Sequence, residues 1–451
     1  MSEMLHFRMG DRMLVERLWI QQQPSVKKAW LALLKTNGIR DEDSIEAVYG
    51  IYDGEELIAT GSIFDNVIKC VAVDGRYTGG TVISTLITHL ESLIFESFDS
   101  CYLYTKPDAS LSFEYLGFKE LARVPDKLVF MEKAVKGLPA YLDALKMNRV
   151  QGSTKGAIVM NANPFTKGHL YLVEQAVKKV DVLYLFVVSQ DRSYVSFEDR
   201  LALVRAGVSH LDQVKVLETG PYMVSTATFP SYFLPEEENV ARIQAHLDAQ
   251  LFKKHIVPAL GLTHRFLGTE PNSPVTAIYN QELNRVLSPT VDLVVIERRK
   301  QAGEAISASR VRELWRKGEL AQIKPLVPPS TYQYIKQKIE RTQSFMNHFE
   351  LRQQGTAGTL ESSDVQILID QNSGNGIELE LTSSVEKQFG AQIRKVIQET
   401  LSSMGVQDAK LVVKDQGALD CTIRARLIAA VHRASGQTES INWEEIEQWN
   451  D

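Results

Sequence analysis

The chain has 451 residues, with 50 Lys and Arg against 56 Asp and Glu, and three cysteines. That length exceeds one small module and predicts roughly two to four domains, and 44% hydrophobic with 24% charged residues excludes a disordered or collagen-like chain. The net charge of −6 argues against a dedicated nucleic-acid binder, whose footprint is a basic excess.

Cys70, Cys101 and Cys421 are far apart and form no C-x-x-C pair. They read neither as a disulfide framework nor as a zinc site. The start of the chain carries Glu3, Arg8, Asp11 and Arg12, which interrupt any apolar leader. The longest apolar stretch, Val182 to Val188, falls far short of the roughly 20 residues of a membrane helix. No membrane and a cytoplasmic location are the expectation.

The first stretch alternates strand and helix patterns. Ser44–Tyr52 and Glu56–Phe64 read as a strand pair about an Asp53-Gly54 turn, with Val67–Val73 a third apolar run. A glycine loop follows, Arg76-Tyr77-Thr78-Gly79-Gly80-Thr81, then a helical pattern over Val82–Phe95 and a short strand at Cys101–Thr105. This order, closed by Tyr115-Leu116-Gly117-Phe118, resembles the GNAT acetyltransferase family. The resemblance implies a loop R-x-x-G-x-G/A that wraps a coenzyme A pyrophosphate with backbone N–H groups. Thr81 replaces the last small residue and would crowd that path, so a domain kept for docking or structure is the other reading.

The middle stretch alternates strands and helices. Ala157–Met160, Asp181–Val188, Val214–Glu218, His264–Gly268 and Val291–Glu297 read as strands, separated by helical patterns that include Gly168–Val180, Phe197–Leu211 and Glu236–Leu260. Such alternation predicts a parallel sheet with ligands at the carboxyl ends of its strands. Two motifs sit where strands give way to helices. The first is Asn161-Ala162-Asn163-Pro164-Phe165-Thr166-Lys167-Gly168-His169, and the second is Ile306-Ser307-Ala308-Ser309-Arg310-Val311-Arg312. Gly168 lets backbone approach a phosphate. His169, in a first helical turn, can donate to a phosphate oxygen beside free backbone N–H groups. Thr166 offers a hydroxyl and Lys167 a mobile cation. Ser307 and Ser309 can cap the second helix, and Arg310 and Arg312 supply positive charge.

The pair resembles the H/T-x-G-H and I-S-S-T-x-x-R motifs of the nucleotidyltransferase superfamily. That resemblance implies ATP at Asn161, Asn163, Phe165, Gly168, Ser307, Ser309, Arg310 and Arg312, with His169, Thr166 and Lys167 catalytic. Gly268 and Glu270, at a strand end on the ligand edge, read either as contacts to adenine or ribose or as a simple turn of the chain. No acidic cluster marks a metal site, so Mg2+ is expected only as the companion of ATP. The aromatic segment Phe229-Pro230-Ser231-Tyr232-Phe233-Leu234 reads equally as a pocket wall or as core.

The last stretch follows the polar run Leu351-Arg352-Gln353-Gln354-Gly355-Thr356. It reads as strands Val365–Asp370, Ile377–Thr382 and Lys410–Lys414, with helices Val385–Met404 and Ala418–Ala434. The fold class is therefore α/β: an N-terminal GNAT-like α+β domain over 1–145, a central Rossmann-like nucleotidyltransferase domain over 150–345, and a small α+β domain over 355–451.

Asn161–His169, Thr228–Leu234 and Ile306–Arg312 together resemble the citrate lyase ligase family. Ala357–Val365, Ser384–Gly390 and Gly417–Cys421 resemble the citrate lyase acyl carrier subunit. The first resemblance implies ATP, acetate and a carrier thiol as substrates, with acetyl adenylate between them and AMP and pyrophosphate released. The second implies a phosphoribosyl-dephospho-coenzyme A arm on Ser362, with Ser363 the neighbouring candidate, and the alpha and beta subunits of citrate lyase as partners. Two other readings stand beside it: an adenylyltransferase acting on a cofactor precursor, and a non-catalytic carrier or scaffold subunit. The charge is unevenly spread. Residues 1–150 carry −4, residues 151–350 carry +4 and residues 351–451 carry −6.

Overall fold

Strands β1 (Val15–Leu18), β2 (Ala47–Asp53), β3 (Glu56–Phe64), β4 (Val67–Val73), β5 (Ser100–Thr105), β6 (Lys119–Val124) and β7 (Leu128–Ala134) form one sheet in the order β1-β2-β3-β4-β5-β7-β6. Every neighbouring pair is antiparallel except β4 and β5. The helix Thr81–Ile94 covers one face with Val82, Leu86, Ile87, Leu90 and Ile94. Those positions recur at helical spacing, so one stripe faces the sheet. The helix Pro24–Thr36 buries Trp30, Leu33 and Leu34 against the other face. The β6–β7 hairpin and that first helix were not anticipated from the sequence pattern.

The computed structural model describes residues 14–42, 44–77, 80–189, 193–223, 229, 232–234, 239–269, 274–301, 304–346 and 349–436. Two compact units emerge, Met1–Tyr332 and Gln333–Asp451. Within the first, β8 (Lys155–Met160), β9 (Val182–Val187), β10 (Val214–Glu218), β11 (His264–Gly268) and β12 (Asp292–Ile296) make a parallel sheet ordered β10-β9-β8-β11-β12. All six residues of β9 are buried, as expected of a strand covered on both faces. The helical stretch expected to Leu260 is interrupted. An α-helix over Val240–Leu251 passes through a π-helical turn, Phe252–Ile256, before the last turn Val257–Leu260. A two-stranded ribbon, β13 (Lys300–Gln301) with β14 (Glu304–Ala305), leads into the helix Ala308–Arg316.

The second unit holds β15 (Gly355–Ala357), β16 (Val365–Asp370), β17 (Ile377–Ser383) and β18 (Ala409–Asp415), ordered β15-β16-β18-β17. β16 alternates buried and half-buried residues, so one face meets the helices Glu386–Ser403 and Asp420–Ser435. Its core is Val365, Ile367, Ile369, Val396, Ile397, Leu411, Val413 and Leu427, among others. Among the described residues no helix is long and apolar enough to cross a membrane.

Candidate functional site

Both motifs lie at the carboxyl edge of the parallel sheet. β8 ends at Met160 and the helix Lys167–Ala176 starts seven residues later. Thr166 caps that helix. Its hydroxyl accepts from the His169 backbone N–H at 3.3 Å, and its own backbone N–H donates to His169 Nδ1 at 3.1 Å. This is a capping box in which histidine takes the place of the usual glutamate. A ring nitrogen that accepts a hydrogen bond carries no proton, so the proton of the neutral ring sits on Nε2. Burial, and then the charge of Arg298, push the His169 pKa down to about 4. The ring therefore presents an uncharged Nε2–H at neutral pH. Phe165, fully buried, stacks beside it at 5.9 Å between ring centroids.

The two motifs touch. Arg312 donates to the Asn163 carbonyl at 2.6 Å and to Ser309 Oγ at 3.1 Å. Gly168 is needed for that closeness as much as for any phosphate. A Cβ there would stand 3.0 Å from the Ile306 carbonyl oxygen and 3.4 Å from Thr166 Oγ1. Ser307 is the N-cap of the second helix, accepting from the Arg310 N–H at 3.2 Å. Ser309, expected as a second cap, lies inside the first turn and is exposed. Arg310 is exposed and paired along its own helix with Glu313 at 3.1 Å, whereas Arg312 turns inward. Lys167 donates its backbone N–H to Leu326 at 2.9 Å, and its Nζ reaches the Lys324 carbonyl at 3.4 Å.

Arg200 was not anticipated. It is fully buried and bonds Asn161 twice, through the backbone carbonyl at 2.9 Å and Oδ1 at 2.8 Å. It also donates to Val188 at 2.8 Å and Val195 at 3.0 Å. One guanidinium thereby fixes the loops that leave β8 and β9. It holds the Asn161 side chain so that Nδ2 reaches Ser193 Oγ at 3.2 Å. The Asn163 side chain is fixed by the Val195 N–H at 3.0 Å. No sequence pattern marks Arg200, because an arginine in the first turns of a helix reads as a solvated cation. Arg298 is a second unanticipated cation. It follows β12, is half-buried, and its backbone N–H donates to Thr269 Oγ1 at 3.1 Å. Gly268 ends β11 with nothing within 4 Å of a Cβ placed there. Glu270 lies outside the described residues. Phe229, Tyr232, Phe233 and Leu234 are buried in the core that the N-terminal sheet shares with the middle domain.

In the second unit Ser362 and Ser363 are the central residues of a turn closed by Asp364 N–H to the Glu361 carbonyl at 3.2 Å. Both are exposed. Ser363 has φ +63, the left-handed region, while Ser362 keeps an ordinary φ at the outer corner. The entry to β16 is pinned rather than loose. Asp364 accepts from Thr359 N–H at 3.1 Å, Thr359 Oγ1 at 2.8 Å, and Arg426 at 3.0 and 3.1 Å. The Arg426 guanidinium holds the Asp364 carboxyl well below the usual carboxylate range. Among the described residues no group of His, Cys, Asp or Glu is arranged to hold a metal ion.

Two family models match the chain: the citrate lyase ligase C-terminal domain over residues 155–335, and an ACP model described as malonate decarboxylase delta subunit over residues 352–434. Among curated proteins, the citrate (pro-3S)-lyase ligase of Escherichia coli strain K12 is 38% identical over 331 residues, 72% of this chain and 94% of that protein. The Klebsiella pneumoniae ligase is 41% identical, covering 63% of this chain and 85% of its own. The citrate lyase acyl carrier protein of Streptococcus equi subsp. zooepidemicus strain H70 is 58% identical over 101 residues, 22% of this chain and 98% of that protein. Among solved structures, Thermotoga maritima TmcAL bound with alpha-thio ATP matches with TM-score 0.28 and 14% identity, over 44% of this chain and 62% of that one. A putative N-acetyltransferase from Lactobacillus plantarum matches with TM-score 0.24 and 18% identity, over 28% of this chain and 99% of that one. Identity above one third along nearly the whole of the curated ligases places this chain in the citrate (pro-3S)-lyase ligase family, joined in one polypeptide to a member of the citrate lyase acyl carrier protein family.

Proposed function

We propose that the chain uses ATP to activate acetate as acetyl adenylate, releases pyrophosphate, and passes the acetyl group to a thiol carried on its own C-terminal domain, releasing AMP. The observation that carries this reading is the contact between the two motifs through Arg312 and Asn163, beside a neutral histidine at a helix N-terminus. Adenylyl transfer builds charge on phosphate oxygens, and an enzyme accelerates it by placing donors where that charge develops. His169 Nε2–H, at the N-terminus of its helix, and the half-buried Arg298 are such donors. Arg312 serves as the tie between the motifs, and Arg200 holds Asn161 for the nucleotide. Gly268 leaves open room at the strand edge for adenine or ribose. Nitrogen donors of this kind fit phosphate. Mg2+ would arrive held by the phosphates of ATP.

The C-terminal domain is read as the carrier. Ser362, exposed at the outer corner of a turn, has room for a phosphodiester to the phosphoribosyl-dephospho-coenzyme A arm, and the arm supplies the acceptor thiol. Fusion raises the local concentration of that thiol when the linker spans the gap. The alpha and beta subunits of citrate lyase are the partners the acetylated carrier would serve. Nucleotide products of a reaction with ATP and acetate test the reading. AMP and pyrophosphate in equal amounts are expected. No AMP from acetate, with a dinucleotide formed once a phosphorylated cofactor precursor is supplied beside ATP, would instead assign an adenylyltransferase.

A further inference from the structure

β4 and β5 run parallel, yet their ladder holds only Val67 with Tyr102 and Ile68 with Leu103. Both strands continue, to Val73 and Thr105. Past Ile68 they part. The ladder between β3 and β4 also skips Cys70, which has φ +50. A buried backbone N–H left by both ladders costs roughly 1–3 kcal/mol unless another group accepts from it.

The middle domain supplies that group. Cys70 N–H donates to the Tyr232 hydroxyl at 3.2 Å, across 162 positions of sequence. Tyr232 is 4% exposed and Cys70 fully buried. Phe229 meets Tyr104 of β5 edge to face at 6.0 Å. The Tyr232 carbonyl accepts from Arg40 N–H at 2.8 Å. Beside them, buried Glu132 of β7 accepts from Tyr222 at 2.7 Å and Tyr102 at 3.1 Å, one hydroxyl from each domain. The neighbouring Arg76 is turned into Asp74 and Glu56.

We infer that the opening between β4 and β5 is a binding site for Tyr232 of the ligase domain, so that the N-terminal domain is a clamp on that domain and takes no acyl thioester there. Tyr232 takes the Cys70 N–H and, with Phe229, fills the room beside β4 and β5, so neither the donor nor the space is left for an acyl carbonyl. The clamp holds Tyr222, Phe229 and Tyr232, which follow β10 in sequence. Just after β10, Ser189 Oγ accepts from Gly220 N–H at 2.9 Å, and the Ser189 N–H donates to Thr219 Oγ1 at 3.0 Å. The inference stands on these contacts and not on the ligase chemistry.

Two measurements on the intact chain test it. Equilibrium dialysis with labelled acetyl-CoA at millimolar concentration should show no saturable binding. Tyr232→Phe keeps the ring and removes the hydroxyl, and hydrogen exchange at the Cys70 amide should then quicken about tenfold or more, with the β5–β7 ladder unchanged. Saturable acetyl-CoA binding to the unmutated protein, or unchanged exchange at Cys70 in the variant, would overturn the clamp. Neither readout depends on whether AMP is formed.

Discussion

Arg312 donates to the backbone carbonyl of Asn163 at 2.6 Å, joining positions 149 apart in sequence. Neither residue needs the other for its own helix. The bond exists because the loop after β8 and the helix after β14 meet at one sheet edge, and it makes the site one object. A charge-assisted bond of this kind is worth about 1.5–3 kcal/mol.

Arg312→Lys keeps the charge and loses the planar fork that spans Asn163 and Ser309. We expect kcat/KM for ATP to fall about tenfold or more, with a small change in Tm. Arg310→Lys, on the exposed side of the same helix, should change little. Steady-state kinetics of AMP release on both variants separate these roles. Equal losses would contradict them.

His169 is held neutral chiefly by burial, with the Arg298 charge second. Its folded pKa is about 4, below the ordinary 6.5. Between those values the unfolded chain binds a proton that the folded chain refuses. Its contribution to stability is complete above about pH 6.5 and is lost as pH falls toward about 4. NMR titration should show no His169 protonation near neutrality. Arg298→Ala removes a like charge and should move that pKa upward. His169→Ala should lose at least about tenfold in rate, because a donor to developing charge is removed.

Gly207 stands against the fully buried Phe165, and a Cβ there would lie 2.4 Å from the ring. Gly207→Ala should destabilise by about 1–3 kcal/mol through overpacking. It should also disturb His169, which stacks on that ring. Chemical denaturation with an assay on the folded fraction checks both effects.

Ser363 occupies the left-handed region, where glycine sits without strain. Ser363→Gly should stabilise the C-terminal domain by up to about 1 kcal/mol and leave the arm on Ser362 in place. Ser362→Ala should abolish the adduct. Intact mass and thermal melting of the two variants distinguish attachment from turn strain. An adduct that survives Ser362→Ala would move the attachment elsewhere.

The parts legible in sequence were local. Ser307 announced a helix start because a hydroxyl before a helical pattern is the chemistry of an N-cap, whereas Thr166, read only for its hydroxyl, proves to be a cap as well. The parallel sheet followed from strands alternating with helices. Long-range contacts were hidden. Arg200 reads as a surface residue until the loops from β8 and β9 fold around it. Tyr232 carried no sign that its hydroxyl would complete β4. Nothing local in the sequence shows that Asp364 and Arg426, 62 positions apart, pin the approach to Ser362. The assignment of ATP, acetate and the arm came from resemblance of motifs, since residue type alone allows many phosphate ligands.

The central claim is that one polypeptide both activates acetate and bears the thiol that receives it. The most direct test is to incubate the intact chain, arm attached, with ATP and labelled acetate, and to follow label and nucleotide together. The account predicts label on the C-terminal domain, released by hydroxylamine, with one AMP for each acetyl group bound and none bound in Ser362→Ala. No AMP and no bound label, with other short acids also failing, would contradict it.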